Sequence, residues 1–104
     1  MGRHFMYVFE RILKEANAMQ VEFRKLPING KRTSRADQKR IRQIISDSSY
    51  RVAQECSVIV AYPKMRIEGS EVVLGEAHIM LPDCRIVDIK QLEDIEKGRK
   101  EAPK

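Results

Sequence analysis

The sequence predicts an α+β fold in which two N-terminal helices pack on a small, mainly antiparallel sheet of three or four strands, followed by a short C-terminal helix. Over residues 5–16 and again over residues 41–56, apolar residues recur at three- and four-residue spacing, as in amphipathic helices. From residue 57 to 89, β-branched residues alternate with Gly and Pro turn signals. With 104 residues, 42% of them hydrophobic, the chain has material for one core. We therefore expect one domain over residues 1–98 and a charged, disordered tail over residues 99–104.

The first helix is predicted from an apolar stripe that runs from Phe5 to Ala16. The charged residues expected on its solvent side are Glu10, Arg11, Lys14 and Glu15. Residues 20–34 lose this spacing and contain Pro27 and Asn29-Gly30. We expect a loop there, with a short strand over residues 21–23 as an alternative.

The second helix is predicted to begin at Ser34, which has the spacing of a capping box with Asp37. A narrow apolar seam then continues for about six turns. Its members are Ile41, Ile44, Ile45, Ser48, Val52 and Cys56. Such a seam suits a helix–helix contact, either with the first helix or with a second copy of the chain. The residues predicted to bind a partner in a homodimer are Ile41, Ile45 and Val52.

The second half of the chain reads as short strands. We expect a strand over residues 57–62, a hairpin that turns at Gly69-Ser70, and further strands over residues 77–81 and 84–89. Short connections favour a single antiparallel meander. A closing helix over residues 90–97 would turn Leu92 and Ile95 inward and stop at Gly98.

Charge is distributed unevenly along the chain. The formal net charge is +5, yet residues 24–42 alone carry +7, from eight bases and one acid, and the remainder sums to −2. On a helix, Arg35, Lys39 and Arg42 share one sector with Tyr50, opposite the apolar seam. The residues predicted to bind nucleic acid are Arg24, Lys25, Lys31, Arg32, Arg35, Lys39, Arg40, Arg42 and Tyr50.

This asymmetry favours a small non-enzymatic binding module that is nucleic-acid-binding or regulatory. The alternatives are an acidic protein partner, a protein-interaction module that forms a homodimer, and a basic face that serves solubility alone. A remote alternative is a metal-dependent nuclease, because Asp88-Ile89-Lys90 fits half of a nuclease motif and Glu68 or Glu71 could supply a second carboxylate.

Other classes of function lack their motifs. Glycines do not form a phosphate-binding loop, so we expect no nucleotide cofactor. Cys56 and Cys84 have no CxxC spacing, so we expect no structural metal and interpret both as buried thiols in a cytoplasmic, reducing compartment. His78 is predicted to be an exposed strand residue rather than a general base. No stretch is apolar and long enough for a membrane span.

Overall fold

The structure is a computed structural model that describes residues 3–28 and 33–101. Along the chain the elements are α1 (Arg3–Arg24), α2 (Arg35–Cys56), β1 (Ile59–Ala61), β2 (Arg66–Glu68), β3 (Glu71–Val73), β4 (His78–Met80), β5 (Ile86–Val87) and α3 (Ile89–Glu101). The predicted α+β fold, with two N-terminal helices and a short C-terminal helix, is confirmed. Within the described ranges, the structure contains no helix with the length and apolar character required to cross a bilayer.

Helix α1 is longer than the sequence pattern predicts. Residues 20–24 belong to it, so the predicted loop is wrong over these residues and so is the alternative of a short strand over residues 21–23. Met19 and Phe23 continue the apolar stripe at four-residue spacing and are 1% and 3% exposed. Because this extension packs on residues distant in sequence, its burial stabilises a helical end that local pattern leaves ambiguous. The predicted turn at Asn29-Gly30 lies outside the described residues.

Helix α2 begins and ends as its sequence predicts. The Ser34 hydroxyl accepts a hydrogen bond of 3.1 Å from the Asp37 backbone N–H, which satisfies one of the free donors of the first turn. At the other end, Ser57 adopts a left-handed conformation with φ of 60°, and its N–H bonds to the Ala53 carbonyl. The two helices are antiparallel, since Arg11 of α1 binds Glu55 near the end of α2.

The strands form two antiparallel sheets rather than one meander. Strands β1, β4 and β5 make a three-stranded sheet in that order, and β2 and β3 make a separate hairpin. The meander prediction was therefore wrong in topology, because β1 pairs with β4 across the inserted hairpin. In the centre of the larger sheet, Ile79 aligns with Val60 and Val87 and is 0% exposed. Burial between the helices and the sheet selects this register.

The core divides into two clusters along an elongated molecule of 55 × 23 × 22 Å. The first joins the start of α1 and the end of α2 to the larger sheet and α3, and contains Ile12, Val52, Val58, Val60, Ala77, Ile79, Val87 and Leu92. The second joins the other ends of α1 and α2 to the β2–β3 hairpin, and contains Met19, Phe23, Ile28, Ile41, Val72 and Leu74. Tyr62 packs against both clusters, and its burial raises its pKa to about 12.

Helix α3 closes the first cluster. Leu92 is buried and Ile95 is half-buried, as predicted, but the helix continues past Gly98 to Glu101, so the predicted stop at Gly98 was wrong. A glycine in a helix costs about 1 kcal/mol relative to alanine and need not end it. Asp88 and Gln91 form a reciprocal cap at its start, with bonds of 2.7 and 2.9 Å. Residues 102–104 of the predicted tail lie outside the described residues.

Candidate nucleic-acid interface

The end of α1 and the start of α2 bring the basic segment together at one end of the helical hairpin. Arg24 is the last residue of α1, Lys25 follows it, and Arg35 is the first residue of α2. Phe23, Ile28 and Ile41 share one core cluster, which holds these two helix ends side by side. We call this surface the basic tip and define it by six exposed residues: Arg24, Lys25, Arg35, Lys39, Arg40 and Arg42. Lys31 and Arg32, also predicted to bind nucleic acid, lie outside the described residues.

Three members of the basic tip form a row along α2. Arg35, Lys39 and Arg42 lie within a helical sector of about 60°. The residues that α2 buries are Ile41, Ser48 and Val52, on the opposite side of the helix. All three bases of the row are exposed, so the predicted separation between a basic face and an apolar seam is present in the fold. Tyr50 continues the row at 66% exposure, and its hydroxyl accepts a hydrogen bond from Gln54.

The basic tip also differs from the rest of the molecule in ion pairing. Across residues 3–28 and 33–101, none of its six side chains forms an ion pair. Bases elsewhere that do form ion pairs are Arg11, Arg51, Lys64, Arg66, Arg85 and Lys97. Among the bases whose side chains the structure describes, ion pairs therefore neutralise most of those outside the basic tip and none of those within it.

The apolar seam predicted for a partner packs within the chain itself. Ile41 and Val52 are 1% and 2% exposed, in the second and first core clusters respectively, and Ile45 is half-buried against the second. The contact is with α1 and the strands, which is the intramolecular alternative that the narrow seam allows. A second copy could reach Ile41 and Val52 only if the domain opened.

A buried ionic network between α1 and α2 was not foreseen. Glu15, predicted to face solvent, is 6% exposed. It accepts a hydrogen bond of 2.7 Å from the Ser48 hydroxyl and pairs with Arg11 at 2.6 Å and Arg51 at 3.0 Å. Burial by itself raises the pKa of Glu15, but hydrogen bonds from Arg51, Ser48 and Arg11 outweigh it and lower the pKa to about 2. The sequence signals were the four-residue spacing of Arg11 and Glu15 and a serine within the apolar seam.

The geometry offers little to the nuclease alternative. Asp88 caps α3 and Lys90 lies within it, so the two do not share a side of a strand, as that interpretation required. Within the part of the chain that the structure describes, no group of three His, Cys, Asp or Glu side chains is placed to hold a metal ion. His78 lies on the outer face of β4 with its side chain 44% exposed, at 3.9 Å from Glu76.

The two thiols differ from their predicted setting. Cys84 is exposed in a turn with φ of 72°, so the expectation that it is buried was wrong, whereas Cys56 is half-buried. Cys56 lines a cavity of about 330 Å³ with apolar neighbours such as Val58 and Leu92. Burial raises the pKa of the Cys56 thiol, which disfavours the thiolate that a nucleophile requires.

Fold and surface together define the class: a small α+β domain with an unpaired basic tip on a helical hairpin. Comparison with known proteins adds no relative, since no family model, no curated protein and no solved structure matches the chain. The function is therefore inferred from the geometry and charge of the chain itself.

Proposed function

We propose that the protein is a non-enzymatic module that binds nucleic acid through the phosphates contacted by its basic tip. The observation that carries the proposal is the concentration at one end of the molecule of six exposed bases that form no ion pair among the described residues, where most other described bases are ion-paired. Lysine and arginine bind phosphate by charge and by hydrogen bonds, and each phosphate neutralised releases counterions. The cluster keeps this capacity because, within the part of the chain that the structure describes, none of its six side chains is held in an ion pair.

The packing of the two helix ends supports the same proposal. Ile41 is buried between Arg40 and Arg42 in sequence, so core packing holds the backbone that carries both. Arg24 likewise follows the buried Phe23. Side chains on a packed helical scaffold lose less conformational freedom on binding than side chains on a free segment. The free thiols Cys56 and Cys84 support a reducing, cytoplasmic setting for this activity.

The proposal predicts that replacing Arg35, Lys39 and Arg42 together by alanine weakens binding to a mixed-sequence DNA duplex by on the order of 100-fold at 100 mM salt. The reason is the loss of about three phosphate contacts, which also makes the slope of log affinity against log salt less steep by about 3. Fluorescence anisotropy titrations between 50 and 200 mM KCl measure both quantities.

The matched control removes three bases that lie outside the basic tip. Lys64, Arg85 and Lys97 have side chains that are 66%, 57% and 63% exposed, and each is ion-paired. Their triple alanine variant changes net charge equally and is expected to keep affinity within about threefold. Circular dichroism establishes that both variants stay folded. Equal losses in the two variants would show a general charge effect and refute the proposed site.

A homodimer is the second candidate, and the outer face of the larger sheet favours it. Ile59 and Ile86 are 57% and 61% exposed and align across the sheet with Met80, which forms an apolar row with no covering element among the described residues. The edge of β1 is less suited to pairing with a second copy, because the Ser49 hydroxyl donates to the Val60 carbonyl at 2.8 Å.

If two copies pack through this apolar row, Ile86→Lys should convert a dimer into a monomer, because it places an unpaired charge within a desolvated contact. Sedimentation equilibrium of the wild-type chain and the variant at about 100 μM makes the comparison. Leu13→Lys, at a residue of α1 that is 42% exposed, serves as the control and should leave the mass unchanged. A wild-type chain that is monomeric throughout would eliminate this candidate.

A further inference from the structure

The basic tip presents charge without an exposed aromatic ring. Residues 20–42 contain one aromatic side chain, Phe23, and it is 3% exposed in the second core cluster. Tyr50 lies about 12 Å along the helix axis beyond Arg42. Proteins that hold single strands gain about 1–3 kcal/mol from each base stacked on an aromatic side chain. The tip lacks that contribution and depends on phosphate contacts.

The size of the tip sets how many phosphates it can reach. The molecule is 23 × 22 Å across its long axis, and the tip carries six described bases. Over that width a duplex presents about 13 phosphates, whereas one strand with the spacing it has in a duplex presents about 7. A duplex therefore offers the tip about twice as many phosphates over the same width as a single strand does.

The start of α2 also has the shape to meet a groove. From Arg35 to Arg40 only Asp37 is partly buried, so about one and a half turns extend beyond the core contact at Ile41. An α-helix with its side chains is about 10–12 Å across, which matches the width of about 12 Å of the major groove of B-form DNA. Arg40 projects about 100° away from Lys39, toward the opposite wall of such a groove.

We infer that the ligand of the basic tip is a double-helical nucleic acid, held through phosphates of both strands without dependence on base sequence. This inference rests on the proposed function and adds the class of nucleic acid to it. Charge density, the buried Phe23 and the free start of α2 all favour a duplex over a single strand.

The test compares three fluorescent probes with the full chain: a 24-base-pair DNA duplex of mixed sequence, an RNA duplex of the same sequence, and a 24-nucleotide oligo-dT strand. We expect the DNA duplex to bind at least tenfold more tightly than oligo-dT at 100 mM KCl. The salt slope for the duplex should be about −5 or steeper, as expected for six or more phosphate contacts. Changing the duplex sequence should alter affinity by less than threefold.

The outcomes separate the two proposals. Oligo-dT binding as tightly as the duplex would overturn the inference and leave the proposed function standing. If all three probes fail to bind at 50 mM KCl, the proposed function itself is overturned. The RNA arm distinguishes the two sources of a double helix. Equal affinity for the DNA and RNA duplexes would assign the contacts to phosphates alone. A weaker complex with the RNA duplex would assign them to the wide major groove of DNA. Both results support a double-helical ligand.

Discussion

Glu15→Gln is expected to lower the free energy of unfolding by about 3 kcal/mol at pH 7. Glu15 is 6% exposed and receives hydrogen bonds from Ser48 and Arg51, along with the ion pair to Arg11. The amide keeps the volume but removes the charge, so two guanidinium groups lose their shared carboxylate. Urea denaturation of the wild-type chain and the variant measures the difference.

The same carboxylate gives this stabilisation a defined pH dependence. The pKa of Glu15 is about 2 in the folded chain against an ordinary value of 4.5. A lowered pKa means that the contribution is fully present above pH 4.5 and is lost as the pH falls toward 2. Glutamine does not titrate in this range. The difference in free energy of unfolding between the wild-type chain and the variant should therefore decrease by about 2 kcal/mol from pH 7 to pH 3.

Glu10→Gln is the matched control, since Glu10 is exposed on the same helix and forms no ion pair within the described residues. It should change the free energy of unfolding by less than about 0.5 kcal/mol at either pH. If Glu15→Gln lowered the free energy of unfolding equally at pH 7 and pH 3, the carboxylate would not be the source of the stabilisation.

Ile41→Ala is expected to cost about 2–5 kcal/mol of stability without changing the mass of the protein in solution. Ile41 is 1% exposed, is among the largest fully buried side chains, and is the first buried residue of α2. Its loss leaves a cavity between α1, α2 and the β2–β3 hairpin, where the basic tip is anchored. Urea denaturation gives the stability, and sedimentation gives the mass.

Two further alanine variants calibrate this result. Ile45 is half-buried, so Ile45→Ala should cost clearly less than Ile41→Ala. Leu13 is 42% exposed, and Leu13→Ala should cost less than about 1 kcal/mol. If Ile41→Ala lowered the free energy of unfolding by less than about 1 kcal/mol and also dissociated a dimer, the apolar seam of α2 would be an interface between copies rather than core.

The sequence-based predictions were correct where the structure depends on residues that are close in sequence. The capping pair Ser34 and Asp37, the hairpin around Gly69-Ser70 and the inward side of α3 depend on contacts within a few residues, and all three are present. The seam of α2 was correctly identified as apolar, because helical periodicity alone assigns residues to one face. What covers that face depends on the rest of the chain.

The sequence-based predictions were wrong where the structure depends on contacts between residues far apart in sequence. Residues 21–23 are helical because Phe23 packs in a core cluster with Ile41 and Val72. Strand β1 pairs with β4 because the two strands share a buried face under the helices. Glu15 appears as a solvent residue in sequence, and only the approach of α2 supplies the serine and arginine that make its burial favourable. Long-range contacts of this kind leave little trace in local periodicity.

The sequence by itself determined the α+β class, the helix starts and the excess of positive charge in residues 24–42, because composition, capping and periodicity are local properties. Tertiary structure decided the sheet order, the inward turn of Glu15 and the use of Ile41 and Val52 as core. It also decided that Arg24 and Lys25 stand beside the bases of α2, since antiparallel packing of two helices on a common core joins what ten residues of sequence separate.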